Sequence, residues 1–310
     1  MRFRFDNMDA GENAFFSRQL EHIRPGLLEV RYAELIAMTL VPVNSNVNPG
    51  AEVFTYRAYD TVGKATWSAD LSQRGPRADV KGTEQTSNIR SMTDCYGYSI
   101  QEARAAQMAG LDLDPRKARA ARNAIAQLMD DTLLLGDGTA TYRGLYGLYA
   151  LSGTHTYSTP NGAGGAKGWA TKSPDEVLLD LHGLANGIVS NSKDVHKPDT
   201  MILPLSAFQE ISTRRIGDGS SDTILKQFLA TTPYIKSVVS SVKSETAGAA
   251  SSRRAVAYKK DPDMLEAICP IIFEQLAPQF EGYEVLTNCH ARCGGVVLYY
   301  PKSVSYADYI

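Results

Sequence analysis

Cysteine is scarce in this chain of 310 residues: Cys95, Cys269, Cys289 and Cys293 are the four it has. So few thiols build no disulfide framework, and a reducing, intracellular place of synthesis is expected. Net charge is nearly absent too. The 32 Lys and Arg face 34 Asp and Glu, for a formal charge of −2. That is too weak a field to hold nucleic acid or an anionic membrane by charge alone, although a local basic patch is left open. Long apolar runs are missing. Nothing approaches the roughly 20 residues of a membrane span. The opening "MRFRFDNMDAGENAFFSRQLEHIRPG" has no apolar stretch of signal-peptide length. A soluble protein outside the usual secretory route is expected, with no membrane partner. No repeat of fixed period is found. At 43% hydrophobic residues the chain still suffices for one large domain or two ordinary ones.

Recognisable catalytic chemistry is also sparse. The Gly-rich "GAGGAKGWAT" at residues 162–171 invites a phosphate-loop reading. A P-loop needs Ser or Thr after its Lys, between a strand and a helix, but Gly168 follows Lys167. A surface loop is the better reading. "CHARC" groups Cys289, His290 and Cys293. On a strand the two cysteines would sit ~13 Å apart, too far for one tetrahedral metal. Half-buried packing cysteines are expected there, and no metal or cofactor. No nucleophile elbow and no H-E-x-x-H occur. Asp112 and Asp114 are paired acids, but Asp114 is already placed as a helix cap. His182 lies in an amphipathic helix as a packing or surface residue. The basic pairs Arg214–Arg215 and Arg253–Arg254 read as a solvated face, with a subunit contact or a phosphate touch as the alternative.

Local structure is easier to read. "LLEVRYAELIAMTLVPV" is apolar enough to pack, and "NSNVNPGAE" breaks it. "EVFTYRAYDTVGKATW" alternates, with Val53, Thr55, Arg57 and Tyr59 on one face and Phe54, Tyr56 and Ala58 on the other. "DTVGK" reads as a turn, "ATWSADL" as a return and "SNIRSMTDCYGYSI" as a further strand. Together these make residues 52–98 a long β-hairpin arm. Ser99 and Glu102 have capping-box spacing and Gly110 ends a short helix. Asp114, Pro115 and Gly136 bound a long helix with a stripe at Ala118, Ala121, Ile125, Leu128, Thr132 and Leu135. At ~1.5 Å per residue it spans roughly 30 Å. Ser173, Pro174 and Glu176 open another helix. "DTMILPL", "YIKSVVSSV" and "RRAVAYKK" read as strands, with "SAFQEISTRRIG" and "SDTILKQFLATTP" as short helices between them. The tail is strand-rich. The class is α+β, with strands at both ends of the chain and helices between.

The arm raises the functional question. A compact chain of this length has a radius of gyration of about 20 Å. Each limb of about 15 residues reaches ~50 Å. A lone two-stranded hairpin is marginal in water, so the arm needs a partner, and the simplest is another copy. Tyr56, Tyr59 and Trp67 are the candidate anchors. Arg57, Asp60, Lys64, Asp70, Arg74, Arg77 and Asp79 are candidate paired charges. A hairpin packed on its own domain is the alternative.

The order of elements resembles the major capsid proteins of tailed bacteriophages, which have the Hong Kong 97-type fold shared with encapsulin shells. The long helix ending "LLLGDG", the "GLYGL" that follows and the closing "GGVVLYYPKSVSYAD" carry the resemblance, which spans about residues 25–308. It implies an N-terminal arm over 1–51 and an extended loop over 52–98 lying on a neighbouring subunit. It implies a peripheral domain over 99–174 with a spine helix at 114–135. An axial domain over 175–285 and a return strand over 286–310 complete it. It also implies self-assembly into hexamers and pentamers of an icosahedral shell around double-stranded DNA, contacted weakly. No substrate is turned over. With no room seen for an N-terminal scaffolding segment, a separate scaffold protein or an already processed chain is expected. Portal and decoration proteins are further implied partners, and the virion, assembled in the host cytoplasm, is the implied location. Some relatives join a Lys of the extended loop to a neighbour's Asn. Lys64 and Asn288 are the residues here nearest that description, with no matching acid. An encapsulin-like compartment enclosing cargo enzymes, or a soluble α+β enzyme, are the alternatives.

Overall fold

The computed structural model describes residues 34–67, 77–110, 114–137, 144–217 and 221–310. Most of the lead-in, together with Asp70, Arg74, Asp112 and the side chain of Asp114, lies outside the described part. From Leu35 onward the chain forms one unit.

Short elements come first: helix α1 (Ala37–Leu40) and strand β1 (Val43–Asn44). Strands β2 (Val53–Val62), β3 (Asp79–Asn88) and β4 (Arg90–Ser99) follow, then helices α2 (Ile100–Ala109) and α3 (Asp114–Leu135). Next are β5 (His155–Tyr157), α4 (Pro174–Ser192), β6 (Thr200–Pro204), α5 (Leu205–Thr213), α6 (Ile224–Thr231), β7 (Ser237–Ser241) and β8 (Arg254–Tyr258). The chain closes with β9 (Leu265–Ile268), β10 (Ile271–Gln275), β11 (Gln279–Glu281), β12 (Glu284–Cys293), β13 (Val296–Leu298) and β14 (Val304–Asp308).

The arm is shorter than the sequence suggested. β2 pairs with β3, from Val53↔Asn88 to Val62↔Asp79, so its partner is "DVKGTEQTSN"; most of "ATWSADL" lies outside the described residues. β4 leaves the arm altogether. It pairs antiparallel with β12 along its whole length, from Arg90↔Cys293 to Ser99↔Glu284. The reason is its inward face. Met92 and Tyr96 are buried, and they meet Cys289, Ala291 and Cys293 of β12 in a core beneath α3. A strand with that much to bury joins the body, whereas β2 and β3 have little.

The helices start where their caps predict. The Ser99 hydroxyl accepts from Glu102 N at 3.1 Å, and Gly110 ends α2 in the left-handed region. Ser173 and Glu176 form both halves of a capping box before α4. The stripe of α3 drifts from the expected one. Ala121, Ile125, Met129 and Leu133 are buried at steps of four, while Leu128 and Leu135 are partly exposed. The core follows the i+4 row, and of the remaining expected positions Thr132 is buried as well.

After α3 the chain doubles back. Leu148 N and Tyr149 N donate to Leu133 O and Leu134 O at 2.8 and 2.9 Å, which satisfies carbonyls the helix leaves open. The approach is close enough that a Cβ on Gly147 would lie 2.3 Å from Gly136 N.

The five-stranded sheet, ordered β5-β14-β8-β6-β7, is a wall between two cores. Strand alternation sorts its side chains. Val256, Tyr258 and Ile202 face the core under α3. Ala255, Ala257, Met201 and Leu203 face a second core with Leu181, Leu184 and Ile188 of α4 and Phe228 of α6. "DTMILPL" is thus a strand buried on both faces.

Candidate functional site

The β2–β3 ribbon divides into a held root and a free distal part. At the root, Phe54 and Tyr56 pack with Ile89, Ile268, Val297 and Tyr299. The Tyr56 hydroxyl donates to Leu298 O at 3.0 Å, and its ring meets Tyr299 edge-on at 4.8 Å. Burial pushes that hydroxyl above its ordinary pKa. Ser87 Oγ donates to Gly294 O at 3.1 Å. Tyr56 therefore anchors the ribbon to its own subunit.

Beyond the root, the described residues of the ribbon, 57–67 and 77–86, are exposed. Arg57 pairs with Glu84 directly opposite, Nε to Oε1 at 2.7 Å, both exposed. Its charge is thus met within the ribbon. Such an exposed pair contributes about 1 kcal/mol at most. Tyr59 lies across Gly82 of the other strand, yet is 71% exposed. Trp67 is wholly exposed. Asp60, Lys64, Arg77 and Asp79 are exposed as well. Sequence reasoning missed Val62 and Val80, which lie on facing strands at the distal end of the paired ribbon, Val80 opposite Thr61 and Val62 opposite Asp79, and are both exposed. The alternation in "YDTV" was the signal. It also missed Phe280 and Tyr283, exposed on the β11–β12 turn around Gly282 at φ 62°. "FEGY", aromatics flanking a turn glycine, could have marked them.

The other candidates resolve into structure. Residues 162–166 close a turn, Gly162 N to Ala166 O at 2.9 Å. Ala163 N donates to Glu176 Oε1 at 2.8 Å. A carboxylate already holds that amide, which disfavours phosphate. Asp180 and Lys172 form a buried ion pair at 2.5 Å, and Trp169 Nε1 donates to the same Asp180 oxygen at 3.1 Å. Burial raises the Asp180 pKa against the lowering pull of Lys172.

The basic pairs are not simply a solvated face. Arg214 donates to Trp169 O and Lys172 O at 2.9 and 2.6 Å. Arg254 holds both oxygens of Asp308 and donates to Tyr149 O at 2.5 Å. Arg253 pairs with Glu245 at 3.1 Å. His182 packs on Phe228 beside Thr231 and Thr232. "CHARC" is a strand, as expected, but Cys289 and Cys293 are fully buried, not half-buried. Among the described residues no group of three or more His, Cys, Asp and Glu is placed to hold a metal. Among them, too, no helix is long and apolar enough to cross a membrane.

What remains is a surface for contact, carried by a projecting ribbon on a two-core α+β body with a long helix. That architecture is the capsid fold of tailed phages. The capsid of Myoviridae phage XM1 superposes with a TM-score of 0.82 at 14% identity, over 96% of this chain and 99% of that one. The capsid of a native GTA particle gives 0.65 at 11% identity, over 98% and 99%. A virus-like particle from Pyrococcus furiosus gives 0.54 at 12%, over 87% and 91%. The sequence itself matches the major capsid protein family over residues 63–310, and the chain belongs to that family. It is a component of a phage capsid with a structural role. No curated protein sequence matches it. The family match does not favour the cargo-compartment alternative, nor the soluble enzyme.

Proposed function

We propose that the free part of the ribbon, residues 58–83, lies across a neighbouring copy in a closed icosahedral shell. The observation that carries this is the contrast along one ribbon: its root is packed and hydrogen-bonded, while Tyr59, Val62, Trp67 and Val80 are left in water. Exposed aromatic and β-branched side chains on a two-stranded ribbon need a covering surface. Tyr59 and Trp67 are the anchors, with Asp60, Lys64, Arg74 and Arg77 as charges for the neighbour to meet. Arg57 serves the ribbon itself, and Tyr56 its root.

Copies meet head to tail, since the ribbon of one and the receiving face of the next are different surfaces. Such contacts close into rings, here pentamers and hexamers. The core under α3 corresponds to a peripheral domain, and the α4–α6 core to an axial one over residues about 175–285. The shell encloses double-stranded DNA. A formal charge of −2 suits a container that does not grip phosphates. A separate scaffold, a portal and decoration proteins complete the assembly, which takes place in the host cytoplasm. The protein turns over no substrate.

The test replaces residues 58–83 with an Asn-Gly turn. The shortened chain is expected to keep its circular dichroism spectrum and its melting temperature. It should also fail to form shells under negative-stain imaging. Shells of normal size from this variant would refute the reading.

A further inference from the structure

Two buried thiols face each other where two sheets meet. Cys269 directly follows β9, and Cys293 ends β12. Their backbones cross closely: Gly294 N donates to Ile268 O at 2.7 Å, and Ile268 N to Gly295 O at 3.0 Å. The Cys269 thiol points at the Cys293 sulfur with 3.9 Å between them, and both residues are fully buried. Gly295 N donates to the Cys293 sulfur at 3.3 Å. No other cysteine competes. Cys289 is four residues back on the same strand, roughly 13 Å away at ~3.3 Å per residue, and Cys95 is exposed.

We infer that Cys269 and Cys293 form a site of peroxide-driven disulfide formation that staples β9 to β12. A disulfide needs its sulfurs about 2.05 Å apart, so the pair must close by about 2 Å, within reach of side-chain rotation. The roles differ. The hydrogen bond from Cys269 and the Gly295 N–H favour the Cys293 thiolate, so its pKa lies below the ordinary thiol value, while that of Cys269 lies above. Cys293 is therefore the attacking sulfur. It takes one oxygen from hydrogen peroxide, giving a sulfenic acid and water. The Cys269 sulfur then attacks that sulfenic sulfur, the S–S bond forms and a second water leaves. Two thiols and one peroxide give one disulfide and two waters. Peroxide accepts the two electrons. Entry to the buried pair runs through local opening at the end of β12, so the reaction is slower than oxidation of Cys95. It belongs to the chain itself and holds whether or not copies assemble.

The test uses the full chain carrying Cys95→Ser, freed of reductant and exposed to hydrogen peroxide. Thiols are then alkylated in denaturant and the peptides mapped by mass. The expected product is about 2 Da lighter, keeps one alkylatable thiol of three at Cys289, and yields a linked peptide containing Cys269 and Cys293. Dithiothreitol reverses it. The melting temperature should rise by about 5 °C on oxidation and should not rise in Cys269→Ala. In that variant dimedone should label Cys293. Three free thiols after exposure many times longer than full oxidation of Cys95 takes in the parent chain would overturn the inference, as would a linked peptide through Cys289. Mapping the chain with both thiols intact decides the question even where Cys269→Ala folds poorly.

Discussion

Trp67→Ala separates what the subunit needs for itself from what it offers a neighbour. In the lone subunit the indole is wholly exposed, so its removal changes folding stability by no more than about 0.5 kcal/mol. Covered by a neighbour, a Trp side chain buries roughly 150–250 Å². At ~25 cal/mol per Å² that is ~4–6 kcal/mol before the cost of ordering. Truncation of such an anchor at an interface costs about 2–4 kcal/mol. Since about 1.4 kcal/mol is tenfold, the concentration at which shells appear should rise roughly 30-fold or more. Every copy donates one ribbon, so the loss falls on every copy. Light scattering against concentration reads the threshold, and melting of the unassembled chain is the control. Adding Tyr59→Ala should raise the threshold further, again with no change in melting. A threshold that stays put would refute the neighbour contact. A lowered melting temperature would show that the ribbon packs on its own body.

Other perturbations probe the body. Gly147→Ala puts a Cβ 2.3 Å from Gly136 N and 2.6 Å from the Leu134 carbonyl. With backbone on every side it should cost about 3 kcal/mol, read as a lower urea midpoint. Asp180→Asn leaves the Lys172 ammonium buried without its counter-charge and should cost about 3–5 kcal/mol. Adding Lys172→Met should recover most of that, because the introduced amide oxygen still accepts from Trp169 Nε1; a double variant no better than the single would refute the charge argument. Burial lowers the pKa of His182, and of His196 together with the nearby Lys259 charge. Their folded values lie below the unfolded value of about 6.5. Stability is then fully present above that pH and is lost as pH falls through the folded values. Urea midpoints should drop between pH 7.5 and pH 5, and His182→Gln with His196→Gln should flatten that slope.

Much of the fold was legible because its signals are local. Ser99 and Glu102, and Ser173 and Glu176, are three residues apart, and each pair sets its helix start without outside help. The limits of α3 came from Pro115 and Gly136 in the same way. The stripe of α3 was read less well. Both Leu128 and Met129 follow Ile125 at helical spacing, and only the position of β4 and β12 decides that Met129 goes inside. The assignment of β4 failed for a related reason. "SNIRSMTDCYGYSI" reads as a strand, but its partner is β12, nearly 200 positions later. Nothing within β4 itself points that far.

The candidate site was harder because its residues are alike in type and differ only in place. Arg214 and Arg254 look like solvated charges in sequence. Each finds carbonyls more than 40 positions away, so each ties distant segments together. The ribbon shows the same limit within one strand. Tyr56 and Tyr59 are identical residues three apart, and alternation sends them to opposite faces. Tyr56 is close enough to the root to meet Tyr299 and Leu298, so it serves the subunit. Tyr59 is one turn of the pleat farther out, where its own strand partner is Gly82 and the body no longer reaches. Distance from the root therefore decides which aromatic is structural and which is free to meet a sister copy. That distance exists only once β4 has joined β12, because the departure of β4 into the body fixes where the ribbon begins.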